Sequence, residues 1–402
     1  MKWIALLLAG LAVAVAGLVG QPVAAAKEPV VVHATAALAV VGSDQSKLVW
    51  VHPRTLKHLK RGFVRLRGAQ SPVLAPGARR VAVGSSSLGI RIVDVVRMKL
   101  LGTVAKRSGW SVSPVAWPSP RRLFALEWSD RLGQRLVVAD PISGQALSRI
   151  AVDGYSAWAR AANGVVALGR LGEGIGPASL LVVDRDGGTR VVALERIAAG
   201  GESSGTAEEP DFRTASPALA VDLAARRAYV VGQSSLVADV DLDTLAVSYR
   251  DVRRPAAIAK IISGWQRQAV ALGDGRLAVA GSNYDRLRRD PAGLQLVDVQ
   301  AGTIRRLESR ASFTLAASGR LLVAGDASKG DGDWTGMGVA AYTLDGDKLW
   351  HVLDGESVGW LQAAGGYAYV AGSESYPQTV RVIDLADGSV RTVRGQLPFF
   401  VS

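Results

Sequence analysis

Residues 367–393 read YAYVAGSESYPQTVRVIDLADGSVRTV, and the order of residue types in this stretch decides the fold. A β-branched and aromatic run ends in Gly372. A polar loop follows, then a second run, TVRVID, that ends in Asp384, then a turn and a third run. Short apolar or alternating runs bounded by turn residues are strands, because an amphipathic helix would repeat its apolar residues every 3.6 positions. Asp accepts hydrogen bonds from the N–H groups that follow it, and Gly supplies positive φ. Asp384-Leu-Ala-Asp-Gly388 is therefore a hairpin turn with a mechanism.

The same order recurs along the chain. The Gly that ends the first run, or its substitute, falls at Gly42, Gly84, Glu127, Gly169, Gly232, Gly281, Gly325 and Gly372, at intervals of 42, 43, 42, 63, 49, 44 and 47. Matching turns stand at Asp140–Gly144, Asp184–Gly187, Asp298–Gly302 and Asp345-Gly346. A further, inner strand precedes each unit, as in SPVLA at 71–75, WSVSPVAW at 110–117, SPALAVDL at 216–223 and SVGWLQAA at 357–364. Four strands per unit at a period near 43 are the signature of a propeller blade. The expectation is an all-β, eight-bladed β-propeller of four-stranded antiparallel blades, with seven blades as the alternative. Val30-Val31-Val32 and Pro398–Val401 are both strand-like, so one of them is expected to pair with the blade at the other end and close the ring.

Residues 367–393 resemble the YVTN-type repeats of bacterial surface and exported propellers, in which strand, Gly, strand, Asp and Asp-Gly turn follow in that order. Residues 339–352, VAAYTLDGDKLWHV, look instead like the pyrroloquinoline-quinone-type propeller repeat, with Trp350 in its closing position. The resemblance implies fold and not function, because one fold hosts many unrelated sites. The chain has no Trp-Asp dipeptide, so the WD-repeat subclass is unsupported.

The chain opens MKWIALLLAGLAVAVAGLVGQPVAAAK. Lys2 precedes an uncharged apolar run from Trp3 to Gly20, Gln21-Pro22 breaks it, and Ala24-x-Ala26 follows. That is the layout of a secretory leader cleaved after Ala26. An uncleaved anchor is the competing reading, since the run is just long enough to span. Cleavage leaves 376 of the 402 residues, 27–402, as a single propeller domain. No later stretch is both long and uncharged, so no integral span is expected after cleavage. The chain has no Cys, which excludes disulfides, thiolate metal sites and a cysteine nucleophile. The expected location is secreted or the extracytoplasmic envelope.

No catalytic signature stands out. His33, His52, His58 and His351 show no metal-ligand spacing. His52 stands where other repeats place the turn Asp, so it is expected to cap a turn. The acidic loop DASKGDGDWTG at 326–336 sets Asp326, Asp331 and Asp333 among glycines, where a hard cation such as calcium would find oxygen ligands. Its spacing matches neither an EF-hand loop nor the sialidase Asp box, and a solvated hairpin loop is the plainer reading. No cofactor and no metal are expected.

Charge is unevenly spread. Residues 27–150 hold 20 basic and 6 acidic side chains, whereas residues 151–402 hold 26 and 29. A dense basic patch, Lys57, Lys60, Arg61, Arg65 and Arg67, falls on and after the outer strand of the first blade. Such a face on an exported protein points to anionic envelope polymer, lipid headgroups or an acidic protein partner, rather than nucleic acid. The long insertions 170–179, 196–213, 252–264, 282–293 and 326–336 all fall in the fourth to seventh units, in connections that open on one face. Residues 200–212 read as disordered or lid-like, and 255–265 as a short helix. On that face Tyr284, Asp285, Asp326, Asp331, Asp333 and Trp334 combine flat apolar surface with oxygen acceptors, the mixture a ligand groove needs. The functional expectation is a non-catalytic binding or scaffolding propeller, the alternative being a hydrolase, lyase or quinone-type oxidoreductase assembled from several blades.

Overall fold

The computed structural model describes residues 30–42, 45–85, 87–205, 210–233, 236–252, 264–285, 288–328, 334–372 and 379–401. Among them all regular structure is β-strand. Five anchors lie at or next to the end of the second strand of their repeat, as Gly169 closes Gly164–Gly169 and Gly372 follows Tyr367–Ala371, whereas Glu127, Gly281 and Gly325 lie inside Arg122–Ser129, Arg276–Asp285 and Arg320–Ser328. Glu127, standing in for Gly, is buried within Arg122–Ser129 and paired with Arg149 at 3.2 Å.

Counted by hydrogen-bonded sheets, the propeller has six blades, which corrects both the eight and the seven expected. Five sheets have four strands each. The first is Phe399–Phe400, Ala37–Val41, Lys47–Val51 and His58–Arg65, and the second is Ala69–Leu74, Arg80–Ser85, Ile90–Asp94 and Lys99–Val104. The third runs Ser111–Ser119, Arg122–Ser129, Gly133–Asp140 and Gln145–Ala151. Another holds Ala218–Asp222 to Val247–Asp251, and the last Trp360–Ala364 to Val390–Arg394. The remaining sheet has fourteen strands and contains three of the anchors, Gly169, Gly281 and Gly325.

The merger comes from strands that the described parts of the insertions form. Gly174–Asp184 pairs with the long strand Thr189–Gly205, and that with Pro210–Ser216. Pro210–Ser216 then runs parallel to Gly264–Gly273. Arg276–Asp285 follows, then Arg288–Pro291, which reaches Ser328 on the strand Arg320–Ser328. The lid-like reading of 200–212 is thereby corrected to an antiparallel hairpin, Gly200↔Ala215 through Gly205↔Pro210. The helix expected over 255–265 falls mainly on 253–263, outside the described residues.

Closure is made by the C-terminal strand, with Ala39↔Phe400 and Val40↔Phe399. Val30–Val32 is no strand. It forms a strap, with Val31 buried among Val358, Ala368 and Leu385, and the Ala34 N–H donating to Gly365 O at 3.1 Å. Cores lie between neighbouring sheets: Ala82 and Ile92 of the second meet Trp117, Leu123 and Val137 of the third.

One connection is stitched repeatedly. The turn between third and outer strand in one repeat accepts, through a backbone carbonyl, a bond from a side chain of the repeat before it. Trp50 Nε1 donates to Val95 O at 3.0 Å, Arg122 Nε to Arg185 O at 2.9 Å, and Arg190 Nη2 to Leu242 O at 3.1 Å. Arg305 Nη2 donates to Gly346 O at 2.8 Å, Trp350 Nε1 to Leu385 O at 3.3 Å, and the Tyr369 hydroxyl to Pro53 O at 3.1 Å. The Trp350 of the closing position in its repeat thus reaches into the next one.

The turn aspartates act as the sequence implies. Asp94 Oδ1 accepts from the N–H groups of Val96 and Arg97, Asp140 Oδ1 from Ile142, and Asp241 Oδ1 from Asp243 and Thr244. These bonds hold each carboxyl below its ordinary value: chiefly the Arg97 N–H at Asp94, the Ile142 N–H at Asp140 and the Thr244 N–H at Asp241. A depressed folded value stabilises the fold above the unfolded value near 3.9, and that stability is lost as pH falls through the folded value. The urea midpoint should therefore be flat from pH 7 to 5 and drop below about pH 4. Asp94→Asn, Asp140→Asn and Asp241→Asn together should flatten that drop. An unchanged acid limb in the triple variant would refute the account. At the remaining expected cap, His52, the turn is closed by backbone bonds, His52 N–H to Lys57 O and Leu56 N–H to His52 O. Its Nδ1 is buried without a partner among the described residues.

Candidate functional site

The strand extensions that merge the large sheet also build its rim. Their register sets Tyr284 opposite Arg289, Arg289 opposite Ser328, and Ser328 opposite Trp334. With neighbouring strands about 4.8 Å apart, the backbones of Tyr284 and Trp334 stand roughly 14 Å apart across one row. Asp285 ends Arg276–Asp285 opposite Arg288, and Asp326 lies on Arg320–Ser328 opposite Gly336. Asp331 and Asp333 lie outside the described residues. Strand pairing thus joins the backbones of Tyr284, Asp285, Asp326 and Trp334 in one sheet.

Around Tyr284 the side chains form a compact cluster. Alternation along the strands places Gln266, Ser282, Tyr284 and Arg289 on one face. The Tyr284 hydroxyl donates to Gln266 Oε1 at 3.1 Å, and Arg289 Nε donates to Ser282 Oγ at 3.0 Å. The Arg289 guanidinium lies within cation–π reach of two rings, 5.8 Å from the Tyr284 centroid and 5.1 Å from that of Phe313.

On the opposite face Arg267 fixes the rim to the neighbouring sheet. Its guanidinium donates to Gln266 O, Ser282 O, Gln233 O and Asn283 Oδ1 at 2.9–3.2 Å, with Trp265 5.7 Å away. None of these partners is a carboxylate, and burial pushes its pKa down to about 10. Four amide-type acceptors in place of a counter-ion make Arg267 a clamp on the Gln233 turn. At the far end of the extensions, Arg170 lies beside Gly176 and Gly200, where any Cβ would meet its side chain at 2.6 and 3.1 Å. Its Nη1 is buried with no partner among the described residues.

The sequence singled out Tyr284 and missed Gln266, Arg267, Arg289 and Phe313. The signal for Arg289 was present in SNYDRLRRDP, where two polar strands around Arg286-Leu287 form a hairpin that hydropathy alone reads as loop.

The basic patch occupies an outer edge. Lys60, Arg61 and Arg65 lie on His58–Arg65, flanked by Lys57 and Arg67, and all five are exposed. Arg61 lies over the Trp50 ring at 5.7 Å. The histidines stay apart: His33 bonds Asp384 at 2.8 Å, His58 is exposed, and His351 Nε2 bonds Met337 O. Among the described residues no group of three or more His, Asp or Glu is arranged to hold a metal ion.

No family model matches the chain, and no curated protein matches it. Solved structures do. The chain is similar to the dihydro-heme d1 dehydrogenase NirN in complex with DHE, at TM-score 0.56 and 13% identity, over 95% of this chain and 76% of that one. This likeness shows the β-propeller fold. Apo AztD from Citrobacter koseri gives TM-score 0.48 at 14% identity, over 91% of this chain and 97% of that one. BamB from Moraxella catarrhalis gives 0.38 at 14%, over 89% and 87%.

Proposed function

We propose that this chain is an exported, non-catalytic binding propeller of the cell envelope, with its ligand groove on the rim of the fourteen-stranded sheet. The observation that carries the reading is the row Tyr284–Arg289–Ser328–Trp334, drawn together from two insertions by strand pairing. Such inserted rims with aromatic, cationic and acceptor groups suit recognition, whereas a plain propeller needs only tight turns. Asp285, Asp326, Asp331 and Asp333 supply the acceptors in this reading, and a calcium ion among the last three is compatible with it. The leader-like start, Lys2 through Ala26, supports export. The basic surplus of residues 27–150 supports an anionic envelope partner on the other part of the ring.

The test compares the exported chain, beginning at Lys27, with Tyr284→Ala plus Trp334→Ala in pull-downs from the native envelope fraction. The double variant should lose at least about tenfold of a component that the parent chain retains, or about 1.4 kcal/mol. Equal recovery by both proteins, at equal unfolding midpoints, would dismiss this groove.

A further inference from the structure

We infer that the rim made by the third-to-outer turns of the first three sheets docks on an anionic membrane surface. This deepens the anionic-partner reading above and is independent of the ligand groove. The three most exposed large apolar side chains among the described residues are Val30, Val32 and Val96, at 85%, 76% and 73%, and Ile142 is 60% exposed. All four stand on this rim. The strap carrying Val30 and Val32 lies on the Gly365-Gly366 turn, where a Cβ would meet Ala34, His33 and Pro53. Pro53 belongs to the corresponding turn of the first sheet, and the carbonyl of Val95, next to Val96, receives the Trp50 bond from that sheet. Ile142 tips the same turn of the third sheet, whose Gly144 sits against Thr103 of the second.

Exposed cations alternate with these tips. Arg54, Arg79, Arg97 and Arg121 are exposed in the turns of this rim, and none forms an ion pair among the described residues. Aliphatic tips set among arginines are what a surface lying in a headgroup layer needs: the cations meet the anionic lipid and the tips enter the acyl boundary. A soluble anionic polymer would use the cations and gain nothing from Val96 or Ile142.

The experiment is co-sedimentation of the exported chain with phosphatidylcholine vesicles and with mixed phosphatidylcholine–phosphatidylglycerol vesicles, at low and high salt. Binding should require the anionic lipid and fall as salt screens exposed charges beyond about 8–10 Å. Val96→Asp with Ile142→Asp should weaken it at least about tenfold. Leu132→Asp, also 60% exposed but at a second-to-third turn on the opposite rim, should leave it unchanged. Equal loss in the Leu132 variant, or no binding to mixed vesicles, overturns the inference. Tight binding of soluble polyphosphate without vesicle binding would overturn it too, while sparing the anionic-partner reading.

Discussion

A chain ending at Leu397 should lose about 5 kcal/mol of stability and self-associate. The removed strand pairs with Ala39 and Val40, and the Val401 N–H donates to Leu38 O. Phe400 is buried and stacked on Tyr369, with centroids 4.1 Å apart and planes at 24°, and Phe399 packs against the neighbouring core of Leu38 and Val40. Burying each Phe stabilises by about 1.5–3 kcal/mol, and each hydrogen bond adds about 1. Without the strand, Ala37–Val41 becomes an open edge, which templates pairing between chains. Urea denaturation and sedimentation velocity measure both effects. A truncated chain with the parent midpoint and a single monomer boundary would show that Phe399–Phe400 does not close the ring.

Gly325→Ala should cost about 3 kcal/mol. A Cβ there would stand 1.8 Å from Arg310 O, a backbone atom with no rotamer to move. Gly169→Ala meets Gly154 O at 2.0 Å and should behave similarly, whereas at Gly372 the nearest atom is Ser357 O at 4.0 Å. Gly372→Ala should therefore cost under about 1 kcal/mol. Equal midpoints for Gly325→Ala and Gly372→Ala would remove close approach as the reason for glycine at these anchors.

The repeat was legible because its punctuation has a local cause. Asp94, Asp140 and Asp384 bond N–H groups two or three residues on, so the turn is written within a few positions. The merged sheet was not legible, for the opposite reason. Near their hairpin the strands Thr189–Gly205 and Pro210–Ser216 read GESSG and PDFRT, which lack the apolar alternation by which a strand is read. Its further partner, Gly264, is about fifty residues from Thr214, and no window along the chain holds both. The site was legible only in part on the same grounds. Tyr284 stood out as an aromatic among charges, but Arg289 acquires meaning only when Phe313 of another strand closes over it. Trp50 and Trp350 were visible as residues, while the carbonyls they reach belong to the next repeat.

The fourteen-stranded sheet makes the ring mechanically uneven. Among the described residues the first three sheets share no strand ladder and meet through side chains, close backbone packing and scattered bonds such as Trp50 Nε1 to Val95 O and Ala69 N–H to Gln45 O, so that arc can breathe sheet by sheet. From Tyr155 to Val352, apart from the separate sheet at Ala218–Asp251, one continuous sheet runs through the extensions, joined at Thr214↔Gly264 to Ser216↔Gln266 by three parallel pairs and at Arg289↔Ser328 by one. Amide exchange at the rim positions 200, 215, 284 and 328 should then proceed as one correlated event. The disc behaves as a stiff jaw facing a hinged one, with the aromatic row on the stiff side and the cationic turns on the side free to settle against whatever they touch.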